Sequence, residues 1–297
     1  MKKIILVSVF SFLVLGLCFS HPVTETRDVK VRLAVMQGPT GFSSVMLDGE
    51  NYEISVFPSP NEAVARLVKG ELDMAVLPAN AALSLYNKGV DIKAVAVVGE
   101  GMLSLVGTDR EVSSVYVPGA GGTPDHMARL LFAEYEPDYS VTAPAQLAQL
   151  LIAGKAELAI LPQPFVTMVL SRNSSMAVLE DVQQKWKALT GSDSYPMSIL
   201  VASGSFIQQN RRAVSETAEA YRQSVSLVNQ KPHEAALKIE ELGIMSASVA
   251  ETAIPYCALV YKDGLEAEKL CDSYFSVLLE FDSQAIGGKS QDGGFWI

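Results

Sequence analysis

Histidine and cysteine are scarce in this chain and basic side chains are outnumbered by acidic ones, and each shortage closes off a class of chemistry. There are three histidines and three cysteines among 297 residues. His21, His126 and His233 stand far apart. None has a second histidine three or four positions away, so a zinc site has no support and no metal is expected. Serine-nucleophile, phosphate-cradling and dinucleotide patterns (G-x-S-x-G, G-x-x-x-x-G-K-[ST], a helix-opening G-x-G-x-x-G) are missing too. No catalytic residue can be named, and the expectation is a protein that is not an enzyme and uses no cofactor. Lys and Arg number 23 against 33 Asp and Glu, a net charge of −10. That balance argues against nucleic acid or anionic lipid as a partner, although a site can be locally positive. Cys257 and Cys271, 14 positions apart, are read as buried thiols rather than a bridge.

Long apolar runs are missing as well, except at the start. Residues 4–19 are apolar apart from Ser8, Ser11 and Gly16, and they follow Lys2 and Lys3. This run falls short of the roughly 20 residues a membrane helix needs. Its charged lead-in is that of an export signal, assigned to residues 1–20. Two exits stay open. Leu15-Gly16-Leu17-Cys18 resembles a bacterial lipobox, which would lipidate Cys18 and tether the protein to a membrane. Otherwise Cys18 and Ser20 supply small residues for cleavage before His21. Either way the mature protein is expected in the periplasm or on the outer face of the membrane.

What is present is a duplication. Residues 61–85, NEAVARLVKGELDMAVLPANAALSL, are echoed by residues 145–170, AQLAQLLIAGKAELAILPQPFVTMVL. Aligned on Gly70 and Gly154, which are 84 positions apart, both read as apolar helix, Gly, acidic residue, apolar strand and Pro. In the first copy Ala63, Val64, Leu67 and Val68 recur at helical spacing, opposite Glu62, Arg66 and Lys69. Gly70 suits the left-handed residue that ends a helix. Met74-Ala75-Val76-Leu77 is apolar throughout, as for a strand covered on both faces, and Pro78 cannot extend the ladder. Asp73 and Glu157 read as solvated turn residues. Building one unit twice implies two similar lobes with a ligand cleft between them.

The remaining elements alternate between strand and helix, which points to an α/β fold of two doubly wound lobes. Lobe 1 is assigned to residues 29–103, lobe 2 to 104–198, and a mostly helical return to lobe 1 to 199–297. Strands are expected at 29–36, 52–57, 92–98, 102–106, 115–117, 139–142 and 197–202. Helices are expected at 125–135, 211–228 and 232–242, and a turn-rich loop at 37–42. Thr123 and Pro124 suit the N-cap and first turn of their helix.

The order of these pieces resembles the solute-binding proteins of ABC importers for nitrate, sulfonate, taurine and thiamine precursors. The matching runs are G-E-L-D-M-A-V-L-P at 70–78, N-K-G-V-D-I-K-A-V-A at 87–96 and A-G-K-A-E-L-A-I-L-P-Q-P-F at 153–165. A-Y-R at 220–222, N-Q-K-P at 229–232 and I-G-G-K at 286–289 complete them. The resemblance implies a type II periplasmic-binding fold, with two crossover strands as a hinge and closure around one small molecule. It also implies a monomer partnered by an ABC permease and ATPase. One departure is Gln163-Pro164, where this group often has Glu-Pro. An amide donates as well as accepts, so no relative's ligand preference transfers directly.

In open α/β sheets the ligand lies outside the carboxyl ends of the strands. That rule selects Gln37, Gly38, Pro39, Thr40, Gly41 and Phe42 after the first strand, then Ser59 and Pro60, then Asn80. In the second lobe it selects Gly121, Gly122, Thr123, Thr142, Gln163, Pro164 and Phe165, with Tyr195 before the return strand. Helix N-termini among them suit an anionic sulfonate or nitrate. Phe42, Phe165 and Tyr195 would instead cover an aminopyrimidine or another planar solute, while Trp186 is read as packing. The loops show no obvious arginine, which favours the less charged ligands. The expected function is capture of a small solute for an importer. The alternatives are a same-fold biosynthetic enzyme of the menaquinone or thiamine-pyrimidine type, or a binding partner for a separate sensor.

Overall fold

The computed structural model describes residues 29–297 apart from Asp48, Asp109 and Arg110, so the expected export signal and Cys18 lie outside the described residues. The apolar strands sort into two sheets. The chain begins with β1 (Val31–Met36), β2 (Tyr52–Phe57), β3 (Met74–Pro78) and β4 (Ile92–Glu100). It crosses to a second sheet of β5 (Leu103–Gly107), β6 (Ser114–Tyr116), β7 (Glu136–Asp138), β8 (Leu158–Pro162) and β9 (Ala177–Asp181). It then returns through β10 (Pro196–Ser203) and ends the first sheet with β11 (Leu259–Lys262).

The two strand orders are β11-β4-β10-β3-β1-β2 and β7-β6-β8-β5-β9. Omit β11 and they become one pattern. In each, two parallel neighbours flank the edge, and the strand nearest a crossover runs antiparallel beside the repeat-unit strand. Thus β3 lies against β10, and β8 lies against β5. The duplicated sequence unit occupies equivalent places in two equivalent sheets.

Helices cover both faces of each sheet. They are α1 (Pro39–Ser44), α2 (Pro60–Val68), α3 (Ala79–Asn87), α4 (Thr123–Leu131), α5 (Pro144–Ile152), α6 (Phe165–Arg172) and α7 (Val182–Thr190). The return segment adds α8 (Gly204–Gln209), α9 (Arg211–Gln230), α10 (Pro232–Glu241), α11 (Ala247–Ala253) and α12 (Gly264–Phe281). Gly70 and Gly154 follow α2 and α5 with φ of 74° and 66°, the left-handed conformation the sequence pattern requires.

One apolar core runs through both lobes, joining Leu77 and Leu83 of the first to Leu105, Val115 and Trp186 of the second, with Tyr274 and Phe275 of α12. The other face of each sheet has its own core, one under α9 and α10 and one under α5 and α6. Cys257 and Cys271 are free and buried, and they belong to different cores on opposite faces of the first sheet. Among the described residues, no helix is long and apolar enough to cross a membrane.

Three local expectations need correction. Residues 39–44 form a short helix rather than an irregular loop, because Pro39 presets the first turn and Thr40 takes the preceding strand's hydrogen bonds. The strand expected at 139–142 sits earlier, at Glu136–Asp138, where the Glu136 amide pairs with the Ser113 carbonyl. Asp73 is buried rather than solvated. It accepts from the Arg32 guanidinium at 2.6 and 3.0 Å and from the Arg32 amide at 2.9 Å, tying the start of β1 to that of β3.

Candidate functional site

Strands β3 and β6 deliver their exit loops to the junction of the lobes. Pro78 ends β3, and Asn80 falls in the first turn of α3. Its Nδ2 donates across the junction to the Gly121 carbonyl at 3.1 Å. Gly121 takes φ of 76°, so the loop turns back and aims that carbonyl at lobe 1. Thr123 opens α4, and its hydroxyl lies 3.5 Å from Asn80 Oδ1 and 3.5 Å from the Tyr274 hydroxyl. All three side chains are buried. Hydroxyl contacts of that length are at the outer limit of hydrogen bonding, so these groups keep unused capacity.

The loop that carries Gly121 is braced from below. The Gly121 amide donates to Asp125 at 2.8 Å, and Tyr139 donates to the same carboxylate at 2.6 Å. Burial and Asp125 push the Tyr139 phenol up to about 12. Arg129 bridges Asp125 at 3.1 Å and Asp282, beyond α12, at 3.0 Å. Burial opposes the guanidinium charge, but the hydrogen bonds it donates to Asp282 and Asp125 raise its pKa on balance. The cation on α4 is therefore already paired and is not free to hold an anionic ligand. His126 is buried between these groups with neither ring nitrogen hydrogen-bonded, and burial holds its pKa below the ordinary range.

The second crossover brings in aromatics. Tyr195 is fully buried, its ring 5.5 Å from that of Trp186 and 6.1 Å from that of Tyr274. Trp186 also packs on Tyr274 and donates Nε1 to the Ser194 carbonyl at 3.2 Å. The Tyr195 hydroxyl is buried beside the Leu103 backbone. Burial pushes the phenols of Tyr195 and Tyr274 well above their usual range, which keeps both as neutral hydroxyls.

The expected site residues thus divide. Asn80, Gly121 and Thr123 come together, with Gly122 as the residue before α4, and Tyr195 is joined to them only through the Tyr274 ring. Gly38, Pro164 and Phe165 meet at a second inter-lobe contact. A β-carbon on Gly38 would lie 3.8 Å from Pro164 Cδ and 3.9 Å from Phe165 Cε2, and Pro39 follows as the first residue of α1. Gln37 is exposed and lines a cavity of about 220 Å³ with Val56, Phe57, Pro58 and Leu242. Ser59 and Thr142 are exposed, and Pro60 begins α2.

Other candidates are committed elsewhere. Thr40 holds the Met36 amide at 2.8 Å, and Gly41 packs under Ile244. Gln163 accepts from the amide and hydroxyl of Thr167, at 3.2 and 2.8 Å, capping α6. Phe42 is the clearest correction. It is wholly inside the lobe-1 core under α9 and α10, so its ring cannot cover a ligand. Tyr274 was not anticipated. It lies 151 positions from Thr123 on an ordinary amphipathic helix, and nothing in its local sequence sets it apart from core.

A family model described as menaquinone biosynthesis matches residues 40–282. No curated protein matches the chain. Among solved structures, an ABC transporter from Parabacteroides distasonis is 26% identical, with TM-score 0.77 over 90% of this chain and 98% of that one. The periplasmic aliphatic sulphonate binding protein of Escherichia coli is 12% identical, with TM-score 0.66 over 84% and 92% of the two chains. A Candida albicans protein with the generic periplasmic binding protein fold is 11% identical, with TM-score 0.55 over 89% and 92%. The fold is that of the periplasmic solute-binding proteins, as the sequence pattern implied. The family match overturns the exclusion of catalysis, because a biosynthetic family points to an enzyme. Missing hydrolase and nucleotide motifs rule out only the chemistries that need those motifs.

Proposed function

Because the chain belongs to the menaquinone-biosynthesis family and folds as two lobes, we propose that it binds a small organic solute at the junction where Asn80 faces Gly121. The supporting observation is the duplication: two equivalent sheets aim their exit loops at one another, and the side chains there are neutral, buried and incompletely hydrogen-bonded. Closure then follows from mass action, since a ligand that contacts both lobes favours the closed population. Capture for an importer's permease and ATPase is the first reading, with Cys18 as the tether if the export signal is of the lipoprotein kind. Its support is the likeness to an ABC transporter protein along nearly the whole of both chains. Conversion of the bound molecule is the second reading, favoured by the family match.

One experiment addresses both. A fluorophore pair across the junction reports closure while alkanesulfonates, nitrate, taurine, aminopyrimidines, thiamine, riboflavin and a metabolite extract are added in turn. Mass spectrometry of the supernatant reports turnover. A true ligand at a hundred times its Kd adds about 2.7 kcal/mol of stability and shortens the distance. Release of product assigns the conversion reading. A distance and a melting temperature that stay fixed across every addition, the extract included, count against solute binding at this junction.

A further inference from the structure

We propose that His126 makes closure of the lobes proton-sensitive: its ring is shut inside the seam between α4 and α12, and it takes up a proton only when that seam parts. The inference rests on the two-lobe solute-binding reading above and adds a regulation to it. Helix α4 belongs to lobe 2, where it packs on β8 and α7, whereas α12 packs on β4 and β10 of the first sheet. The two helices meet at both ends of α4. At one end the Thr123 and Tyr274 hydroxyls lie 3.5 Å apart. At the other, the Arg129 guanidinium sits 5.1 Å from the centre of the Phe281 ring and 3.0 Å from Asp282. Thr123, His126 and Arg129 follow one another at three-residue spacing along a helix face, so His126 falls in the middle of the seam.

There the imidazole is 1% exposed, and neither ring nitrogen has a hydrogen-bond partner. Across the seam, Asp282 Oδ2 lies 3.8 Å from Nε2 and already accepts from Arg129. That separation is beyond hydrogen-bonding range. The charged groups acting on the ring are Asp125 and Arg129 of its own helix and Asp282 opposite. Asp125 is likewise committed, to the Gly121 amide, Tyr139 and Arg129. Of the other elements against α4, β8 is apolar, and β7 carries the exposed Glu136 and Asp138, which accepts from the Ser140 amide. Helix α7 carries Lys185, which lies over the Phe132 ring, and Lys187, which is paired with Asp193.

Protonation therefore creates a cation that the closed seam neither hydrates nor hydrogen-bonds, a costly state in a dry interior. Burial keeps the ring neutral there, against the pull of Asp125 and Asp282. Parting the seam admits water to both nitrogens and returns the ring to the ordinary histidine range, near 6.5. A proton bound more tightly by the open form favours that form. Closure is thus at full strength above about pH 7 and weakens as pH falls through about 6.5. One proton taken up only on opening lowers the closed-to-open ratio about 10-fold between about pH 7.5 and about pH 5.5. A solute held by closure is released by the same factor.

The test uses the mature protein with a fluorophore pair across the lobes and no added solute, together with proton NMR of the histidine rings. Acidification over that range should widen the separation in the parent and in a His233→Gln control, which replaces an exposed ring. His126→Gln, neutral at every pH, should keep the parent's higher-pH separation throughout. In the parent the His126 ring should titrate below His233 and together with the widening. A widening that persists in His126→Gln overturns the proposal. So does a His126 ring that takes its proton while the separation stays fixed, or a parent whose separation does not respond to pH. Because no solute is present, failure of every solute to close the lobes would remove the binding reading and leave this result standing.

Discussion

At the residue scale, two buried polar side chains make separable predictions. Asp73 accepts three hydrogen bonds from Arg32, two of them from the guanidinium. Arg32 is 41% exposed, so water can take over its charge when the carboxylate is lost. Asp73→Asn is therefore expected to cost about 1–2 kcal/mol, below the penalty for a fully buried broken pair, and urea unfolding measures it. His126 behaves differently, because burial lowers its pKa and Arg129 adds to that effect, while Asp125 and Asp282 oppose it. A folded-state pKa below the unfolded one means the unfolded chain binds the extra proton. Stability should then fall as pH drops below about 6.5, the unfolded value. His126→Leu should remove that part of the slope in melting temperature between pH 7 and pH 5. An unchanged slope would assign the acid sensitivity to other groups.

At the scale of elements, the repeat unit was readable because each of its parts has a local physical cause. An amphipathic stripe needs only side-chain spacing, and a left-handed residue after it needs glycine. Gly70 and Gly154 share positive φ with open space around the missing β-carbon, so backbone strain alone should set the cost of substitution. Gly70→Ala and Gly154→Ala are each expected to cost about 1 kcal/mol, with closely similar changes in denaturation midpoint. Gly101 offers the contrast: its neighbours leave no room, and the buried Tyr195 ring cannot move away. Gly101→Ala should destabilise by about 1–3 kcal/mol through overpacking. The sequence could not show this. A glycine outside the left-handed conformation carries no signal, and the clash depends on residues 82 and 94 positions away. The same limit hid Tyr274 and put Phe42 in the wrong place. Strand-end rules locate loops along the chain, but tertiary packing decides whether a ring on a loop turns toward the cleft or into the core.

At the scale of the whole molecule, the lobes are already in contact, and the question is what holds them there. The apolar core that passes through both lobes includes the hinge aromatics. Two polar links also span the junction: Asn80 with Gly121, and Arg129 of α4 with Asp282 at the end of α12, a helix that packs on β4 and β10. Arg129 and Asp282 are 34% and 31% exposed, so their attraction is partly screened, and it is worth about 1 kcal/mol or less. A term of that size changes a two-state population by about fivefold at most. Asp282→Asn should therefore shift the unliganded protein toward wider separations in a fluorophore-pair measurement, and raised salt should mimic it in the parent but not in the variant. Saturating ligand should restore closure in both. The solute's own contacts with the two lobes then provide the larger share, because only differential affinity for the closed form can move the equilibrium. If Asp282→Asn leaves the separation unchanged at every salt concentration, closure is set by the shared apolar core and the ion pair is incidental.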